Sequence, residues 1–138
     1  MIDSDSRSRG FRRFLWYHLP ALLYAGAIIM VSSIPNLRTP EVRMVALDKL
    51  AHFLEYAIFA FLAFRSFAHL GRSISANTAY LLTILFVSVF AVLDEYFQGF
   101  IPGRHMDPLD LVMDLFGAVL VATFFWLRRR RLEARRTP

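Results

Sequence analysis

The sequence contains no cysteine, and few charged residues interrupt its long apolar stretches. Without cysteine, the chain has no disulfide framework, no thiol chemistry and no zinc–thiolate site. It also lacks a glycine-rich phosphate-binding loop of the Walker or Rossmann type, so the sequence predicts no nucleotide site. No internal repeat or low-complexity segment divides the 138 residues, and we expect one domain over 1–138.

Apolar residues are abundant instead: 57% of the chain is hydrophobic, and fourteen residues are phenylalanine. A soluble domain has a lower apolar content. Four stretches approach the roughly twenty residues that a helix needs to cross a hydrocarbon core of about 30 Å. They predict an all-α integral membrane protein, a bundle of four transmembrane helices over about 14–34, 48–68, 76–99 and 108–127.

Arginines at the two ends supply the net charge of +5. The basic tails, 1–13 and 128–138, flank hydrophobic helices, a pattern that indicates membrane orientation and lipid contact rather than nucleic-acid binding. Twelve of the sixteen Lys and Arg residues lie in these tails or around the connection between the second and third spans. The positive-inside rule then predicts a multi-pass protein of the cytoplasmic (inner) membrane with both termini cytoplasmic.

Polar residues recur at helical spacing on three of the spans, at the outward-facing end. They are Asp48, His52, Glu55 and Tyr56 on the second span, Asp94, Glu95 and Gln98 on the third, and Asp107, Asp110 and Asp114 on the fourth. Hydrocarbon does not solvate carboxylates, so we expect these stripes to face one another in one cluster. Asp107 before Pro108 predicts the N-cap of the fourth span, and Asp48 before Lys49 predicts that of the second.

Seven acids in this cluster have only two fixed cations nearby, Lys49 and Arg104. Some carboxylates must therefore be protonated, or a cation must be bound. The acids either only hold the helices together or form a functional site. For the site, the candidates for catalysis or proton transfer are His52, Glu55, Asp94, Glu95 and Asp114, and those for substrate binding are Lys49, Tyr56, Gln98, Arg104 and Asp110.

No cofactor is predicted, although His52, Glu55, Asp94 and Glu95 are candidate ligands for a divalent cation. Ser32 and Ser33, at the outer end of the first span, are interpreted as helix-packing or lining residues, because the sequence shows no Ser-His-Asp arrangement.

Three blocks carry a family resemblance: DKxxHFxEY at 48–56, DExxQxFxPGR at 94–104 and DxxxDxxG at 110–117. Their order and spacing resemble the VanZ-like family of small multi-span bacterial membrane proteins, named for a member associated with teicoplanin resistance. No biochemical activity is attached to that family as a whole. Many relatives have His where Phe97 stands and Asn where Asp114 stands, so this chain lacks one proton carrier and has one additional charge.

Together these patterns predict an outward-facing acidic pocket that binds or modifies an amphiphilic cell-envelope molecule, such as a lipid-linked glycan or a lipoglycopeptide, with Lys49 and Arg104 orienting an anionic head group. The family resemblance adds the expectation of a contribution to glycopeptide tolerance. One alternative is a membrane enzyme that acts on envelope lipids with a proton- or metal-assisted acid/base site. Another is a cation- or proton-coupled transporter or flippase, whose four short spans would form a homo-oligomer around the path.

Overall fold

All regular secondary structure in the described part of the protein is helical, as predicted. The computed structural model describes residues 4–36, 42–71 and 74–135. Arg38, Arg72 and Arg136, which enter the orientation prediction, lie outside the described residues. The elements in chain order are α1 (Ser4–Arg13), a π-helical turn (Phe14–His18), α2 (Leu19–Ser32), α3 (Val42–Phe67), α4 (Ala76–Gln98) and α5 (Pro108–Ala134).

Four helical stretches are long and apolar enough to cross a membrane: Ser8–Ser32, Ala46–Phe67, Ala76–Gln98 and Pro108–Ala134. The four-helix prediction is thereby confirmed, and the third and fourth spans begin where the sequence placed them. The chain remains helical in most of both basic tails, over Ser4–Arg13 and up to Ala134. Arginine is a good helix former, and cations near a helix C-terminus interact favourably with its dipole.

The helix N-termini test the two predicted caps. The Asp107 side chain accepts a hydrogen bond from the backbone N–H of Leu109, and Pro108 is the first helical residue, so this cap is confirmed. The prediction that Asp48 caps the second span is wrong, because α3 already begins at Val42. The residues before Asp48 include arginine, methionine, alanine and leucine, whose high helix propensity continues the helix upstream.

A π-helical turn interrupts the first transmembrane helix at Phe14–His18. The N–H of Leu19 donates to the carbonyl oxygen of Phe14, five residues earlier. Pro20 follows at once, and a proline ring clashes with the carbonyl four residues before it in a regular helix, so the wider turn relieves that clash. The turn contacts the end of α3: the ring centroids of Tyr17 and His69 are 3.7 Å apart, and His18 Nδ1 lies 2.7 Å from Ser66 Oγ.

Helix α3 is central and packs most extensively on α5. The two helices approach closely at Gly117, where an added Cβ would collide with the carbonyl oxygen of Phe53. Small residues continue this contact: Ala57, Ala60 and Ala63 on α3, and Ala118 and Ala122 on α5, are buried. Membrane helices associate through such small residues because lipid offers no hydrophobic drive for helices to assemble.

Large apolar side chains cover the outside of the bundle. Leu23, Leu81, Leu85 and Phe124 are all more than 60% exposed. Their exposure suits a surface solvated by acyl chains, whereas on a soluble monomer it would form an adhesive patch. The fully buried core includes Tyr56, Phe59 and Val87.

Candidate functional site

The polar side chains of α3, α4 and α5 meet at one end of the bundle, as predicted, and Ser32 of α2 joins them. We call this group the polar cluster. It consists of Ser32, Lys49, His52, Glu55, Tyr56, Asp94, Glu95, Gln98, Arg104, Asp107, Asp110 and Asp114. Seven of its polar or charged members are buried: Ser32, His52, Asp94, Glu95, Gln98, Asp110 and Asp114.

Lys49 joins α3 to the start of α5. Its Nζ donates to Asp107 Oδ2 and to Asp110 Oδ1, both at 2.5 Å. The hydrogen bond from Lys49, together with that from the N–H of Leu109, holds the pKa of Asp107 below its ordinary value. Asp107 therefore acts as both the N-cap of α5 and an ion-pair partner, and the Lys49 ammonium is already paired with protein carboxylates.

His52 and Asp114 form a second buried contact between α3 and α5. The His52 Nδ1 lies 3.0 Å from Asp114 Oδ1, and Nε2 lies 3.8 Å from Asp110 Oδ1. An ionised carboxylate only accepts hydrogen bonds, so it orients the imidazole with the proton on Nδ1. Gly117 lies one turn after Asp114, and the close helix approach at that glycine brings the carboxylate within reach of His52.

Asp94 collects donors from three helices at a single oxygen. Its Oδ2 accepts from Ser32 Oγ at 2.9 Å, from Gln98 Nε2 at 3.2 Å and from the Tyr56 hydroxyl at 3.3 Å. Its other oxygen, Oδ1, is buried and has no hydrogen-bond partner among the described residues. All the hydrogen bonds that Asp94 accepts thus come from neutral donors, and it has no cationic partner in the described part of the chain.

Arg104 is connected to Asp94 only through the side chain of Gln98. Its Nε and one terminal nitrogen donate to Gln98 Oε1, at 3.3 and 3.0 Å, and Gln98 in turn donates to Asp94. The loop that carries Arg104 is fixed to the end of the first span, because the N–H of Asn36 donates to the carbonyl of Pro102 at 3.1 Å. Gly103 has φ of +77°, and a Cβ there would collide with the Asn36 side chain. Only glycine fits this turn without strain.

Glu95 and Glu55 complete the cluster. Glu95 Oε1 accepts a short hydrogen bond from the backbone N–H of Asp107, whereas Oε2 is buried and unpaired in the described part of the protein. Glu55 is half-buried, and its side chain has no hydrogen bond or ion pair with any described residue. Three carboxylates, those of Asp94, Glu95 and Glu55, therefore have acceptor oxygens without a partner among the described residues.

The structure places the predicted metal ligands differently from the sequence interpretation. In the described chain, the group whose ligand atoms lie within 4.8 Å of one another is Asp48, His52 and Asp110, which shares only His52 with the predicted set. The Lys49 ammonium lies 3.9 Å from Asp48 and 2.5 Å from Asp110. A cation already sits between these carboxylates, so the arrangement does not require a metal ion to balance its charge.

Sequence reasoning missed the contribution of Ser32, which it treated as a packing or lining residue. Ser32 is 3% exposed, donates to Asp94 and lies 3.4 Å from Gln98 Nε2. Its position at the outer end of the first span was the only available signal. That Ser32 contacts Asp94 of α4 is evident only from how the helices pack.

The fold and the polar cluster define a multi-pass membrane protein of four helices that buries a group of carboxylates at one end. The sequence profile of the VanZ/LLP1 family matches residues 4–129. The chain belongs to this family, as its three polar blocks predicted. Comparison with curated proteins and with solved structures gives no significant match.

Proposed function

We propose that the polar cluster binds the head of an amphiphilic cell-envelope molecule, a lipid-linked glycan or a lipoglycopeptide, whose tail lies along the apolar outside of the bundle. Two buried acceptor oxygens, Asp94 Oδ1 and Glu95 Oε2, carry this proposal, because neither has a hydrogen-bond partner in the part of the chain that the structure describes. A buried polar atom without a partner costs about 1–3 kcal/mol, so a protein retains such atoms where a ligand satisfies them. Sugar hydroxyls and ammonium groups are donors that match carboxylate oxygens.

The cations of the cluster have different parts in this proposal. Lys49 is committed to Asp107 and Asp110, so it positions the start of α5. Arg104 uses two nitrogens on Gln98, and its remaining N–H groups are available to an anionic group such as the phosphate of a lipid-linked glycan. Tyr56 and Gln98 act on the ligand through Asp94, whose Oδ2 they hold.

Such binding gives a physical route to glycopeptide tolerance. An acylated glycopeptide combines a hydrocarbon tail with a sugar-bearing, partly cationic head, which are the two features that a lipid-facing bundle with free carboxylates recognises. Retention at this site in the cell membrane would withdraw the compound from the outer surface. The same chemistry suits a polyprenyl-linked glycan, so both serve as probes.

The test is a titration of the purified protein in lipid nanodiscs with teicoplanin and with a polyprenyl-linked glycan. We expect saturable binding that Glu55→Gln and Glu95→Gln each weaken at least about tenfold, the loss for one charge-assisted hydrogen bond. Asp48→Asn, an exposed acid at the same end, is the matched control and should bind like wild type. A glycopeptide without an acyl chain should bind more weakly. Wild-type affinity in both glutamine variants would overturn the proposal.

The His52–Asp114 pair favours a second function, an acid/base enzyme that modifies the bound molecule. An imidazole oriented by a buried carboxylate is suited to accept or donate a proton. Turnover of a lipid-linked glycan should then be lost in His52→Asn and retained in the exposed control His105→Asn. If the wild-type protein binds the glycan without turnover, the binding function stands and the enzymatic function is rejected.

A further inference from the structure

The end of the bundle opposite the polar cluster carries a groove of about 420 Å³ between α3 and α5. Phenylalanines line its inner part: the ring centroids of Phe61 and Phe125 are 4.9 Å apart, and those of Phe64 and Phe125 are 6.3 Å apart. Arg65, Arg128 and Arg129 line its outer part. The groove therefore passes from an apolar wall to a cationic rim, at the depth where the apolar span of α3 ends.

The three arginines of the rim are not equivalent. Arg129 is fully engaged: its Nε pairs with Glu133 at 2.9 Å, and its two terminal nitrogens donate to the carbonyls of Ala68 and Ile74 at 3.0 and 2.5 Å. It fixes the shape of the groove and neutralises Glu133. The net charge available to a ligand therefore comes from Arg65 and Arg128.

The side-chain donors of Arg65 and Arg128 have no hydrogen-bond acceptor among the described residues. The Arg65 guanidinium carbon lies 5.2 Å from the centre of the Tyr17 ring, a cation–π contact, and its N–H groups donate to no hydrogen-bond acceptor among the described residues. Arg128 is exposed and has no hydrogen bond or ion pair with the described residues. Tyr17 itself is held by the π-helical turn and by stacking on His69, so Arg65 is pre-positioned at the rim.

We propose that this groove binds one anionic phospholipid from the adjacent leaflet, with its phosphate between Arg65 and Arg128 and an acyl chain against Phe61 and Phe125. Charge complementarity selects this occupant: two unpaired guanidinium groups fit a phosphate, and an aromatic wall inside the hydrocarbon fits an acyl chain. A zwitterionic lipid brings no net charge to the rim. This site does not depend on the function proposed for the polar cluster.

Native mass spectrometry of the detergent-purified protein tests the proposal, with phosphatidylglycerol and phosphatidylcholine of identical acyl chains as probes. We expect retention of one phosphatidylglycerol, weakened about fivefold by Arg65→Gln or by Arg128→Gln and more in the double variant, since each cation near an anionic surface contributes about 1 kcal/mol. Phosphatidylcholine should bind more weakly and should not respond to either substitution. The Arg128 side chain makes no hydrogen bond or ion pair with the described residues, so its variant should keep the wild-type fold.

Arg131→Gln is the matched control, because Arg131 is an exposed arginine near the same end of α5 that does not line the groove. It should retain wild-type affinity. An equal loss in Arg131→Gln would show diffuse attraction and overturn the site. Equal binding of the two lipids would overturn the charge selection, and equal binding of water-soluble glycerol phosphate would overturn the requirement for the acyl chain.

Discussion

At the residue scale, the cations and the acids of the polar cluster are not all paired with each other. Lys49 pairs with Asp107 and Asp110 at the start of α5, while the buried Asp94 is held by neutral donors. Arg104 approaches Asp94 only through the Gln98 amide. A buried carboxylate with neutral partners remains receptive to a cation or a proton, whereas a fully ion-paired one does not.

Arg104 provides the first prediction. Arg104→Lys should keep the protein level and lose function, because the single nitrogen of an ammonium cannot reproduce the planar fork in which two guanidinium nitrogens hold Gln98 Oε1 and other N–H groups face a ligand. The measurement is complementation for lipoglycopeptide tolerance, with membrane abundance determined in parallel. Normal complementation by the Lys variant would reduce Arg104 to a charge-balancing residue.

Asp107 provides a second prediction, with a defined pH dependence. Its folded-state pKa lies below the ordinary 3.8, so its ion pair stabilises the fold above about pH 4 and loses this effect as the pH falls through the folded pKa. Asp107→Asn keeps the cap and loses the pair, so it should be less stable than wild type at neutral pH, and the difference should close below about pH 4.

Asp107→Ala also removes the cap, which costs about 1 kcal/mol more at every pH. Thermal unfolding in detergent across the pH range measures both variants. A stability difference between wild type and Asp107→Asn that persists unchanged in acid would contradict the ion-pair assignment.

At the element scale, the contact between α3 and α5 brings Lys49 and His52 of α3 within reach of the acids at the start of α5. We predict that Gly117→Ala costs about 1–3 kcal/mol of unfolding free energy and reduces function, because its methyl group would push α5 away from Phe53 and separate Asp114 from His52. Gly26→Ala is the matched control: a Cβ added at Gly26 would meet no neighbouring atom within 4 Å, so this variant should be neutral or slightly stabilising. Equal thermal stabilities for the two variants would show that the helices do not approach closely at Gly117.

The element boundaries also show what the sequence could and could not predict. Asp107 before Pro108 is a strong cap signal, because proline fixes the first helical φ and the aspartate satisfies a free N–H, and the structure confirms it. Asp48 before Lys49 gives a weaker signal, and the helix propensity of the preceding residues overrode it. The π-helical turn before Pro20 had no signal beyond the proline itself, because its stabilising contacts come from the distant residues Ser66 and His69.

At the scale of the whole molecule, carboxylates and arginines occupy opposite ends. The polar cluster marks one end, and the arginine-lined groove marks the other. The excess of arginine predicts that the groove end is cytoplasmic. A reporter fused after Gly71 should therefore report the cytoplasm, and one fused after Gly103 should report the exterior. The reverse result at both positions would invert the orientation and place the cluster inside the cell.

The sequence predicted that the acids would gather, because carboxylates in hydrocarbon must face one another. It could not predict which cation meets which acid. Lys49 and Asp107 are far apart in sequence, and their pairing depends on the α3–α5 contact at Gly117. Arg104 and Gln98 are near in sequence, yet their contact depends on a turn held by Asn36 from another loop. Both arrangements leave one oxygen of Asp94 and one of Glu95 without a partner in the described part of the chain, and no local sequence pattern predicts this.

Complementation by Glu95→Gln, measured together with its thermal stability, tests most directly whether the polar cluster is a site or only holds the helices together. Glutamine can still accept the hydrogen bond from the Asp107 N–H, and it removes an unpaired buried charge, so the fold should be as stable as wild type or more stable. We predict a stable, abundant protein that fails to support lipoglycopeptide tolerance, with smaller losses in His52→Asn and Glu55→Gln and none in Asp48→Asn. Wild-type tolerance in all three cluster variants would contradict the account and leave the acids as a means of holding the helices together.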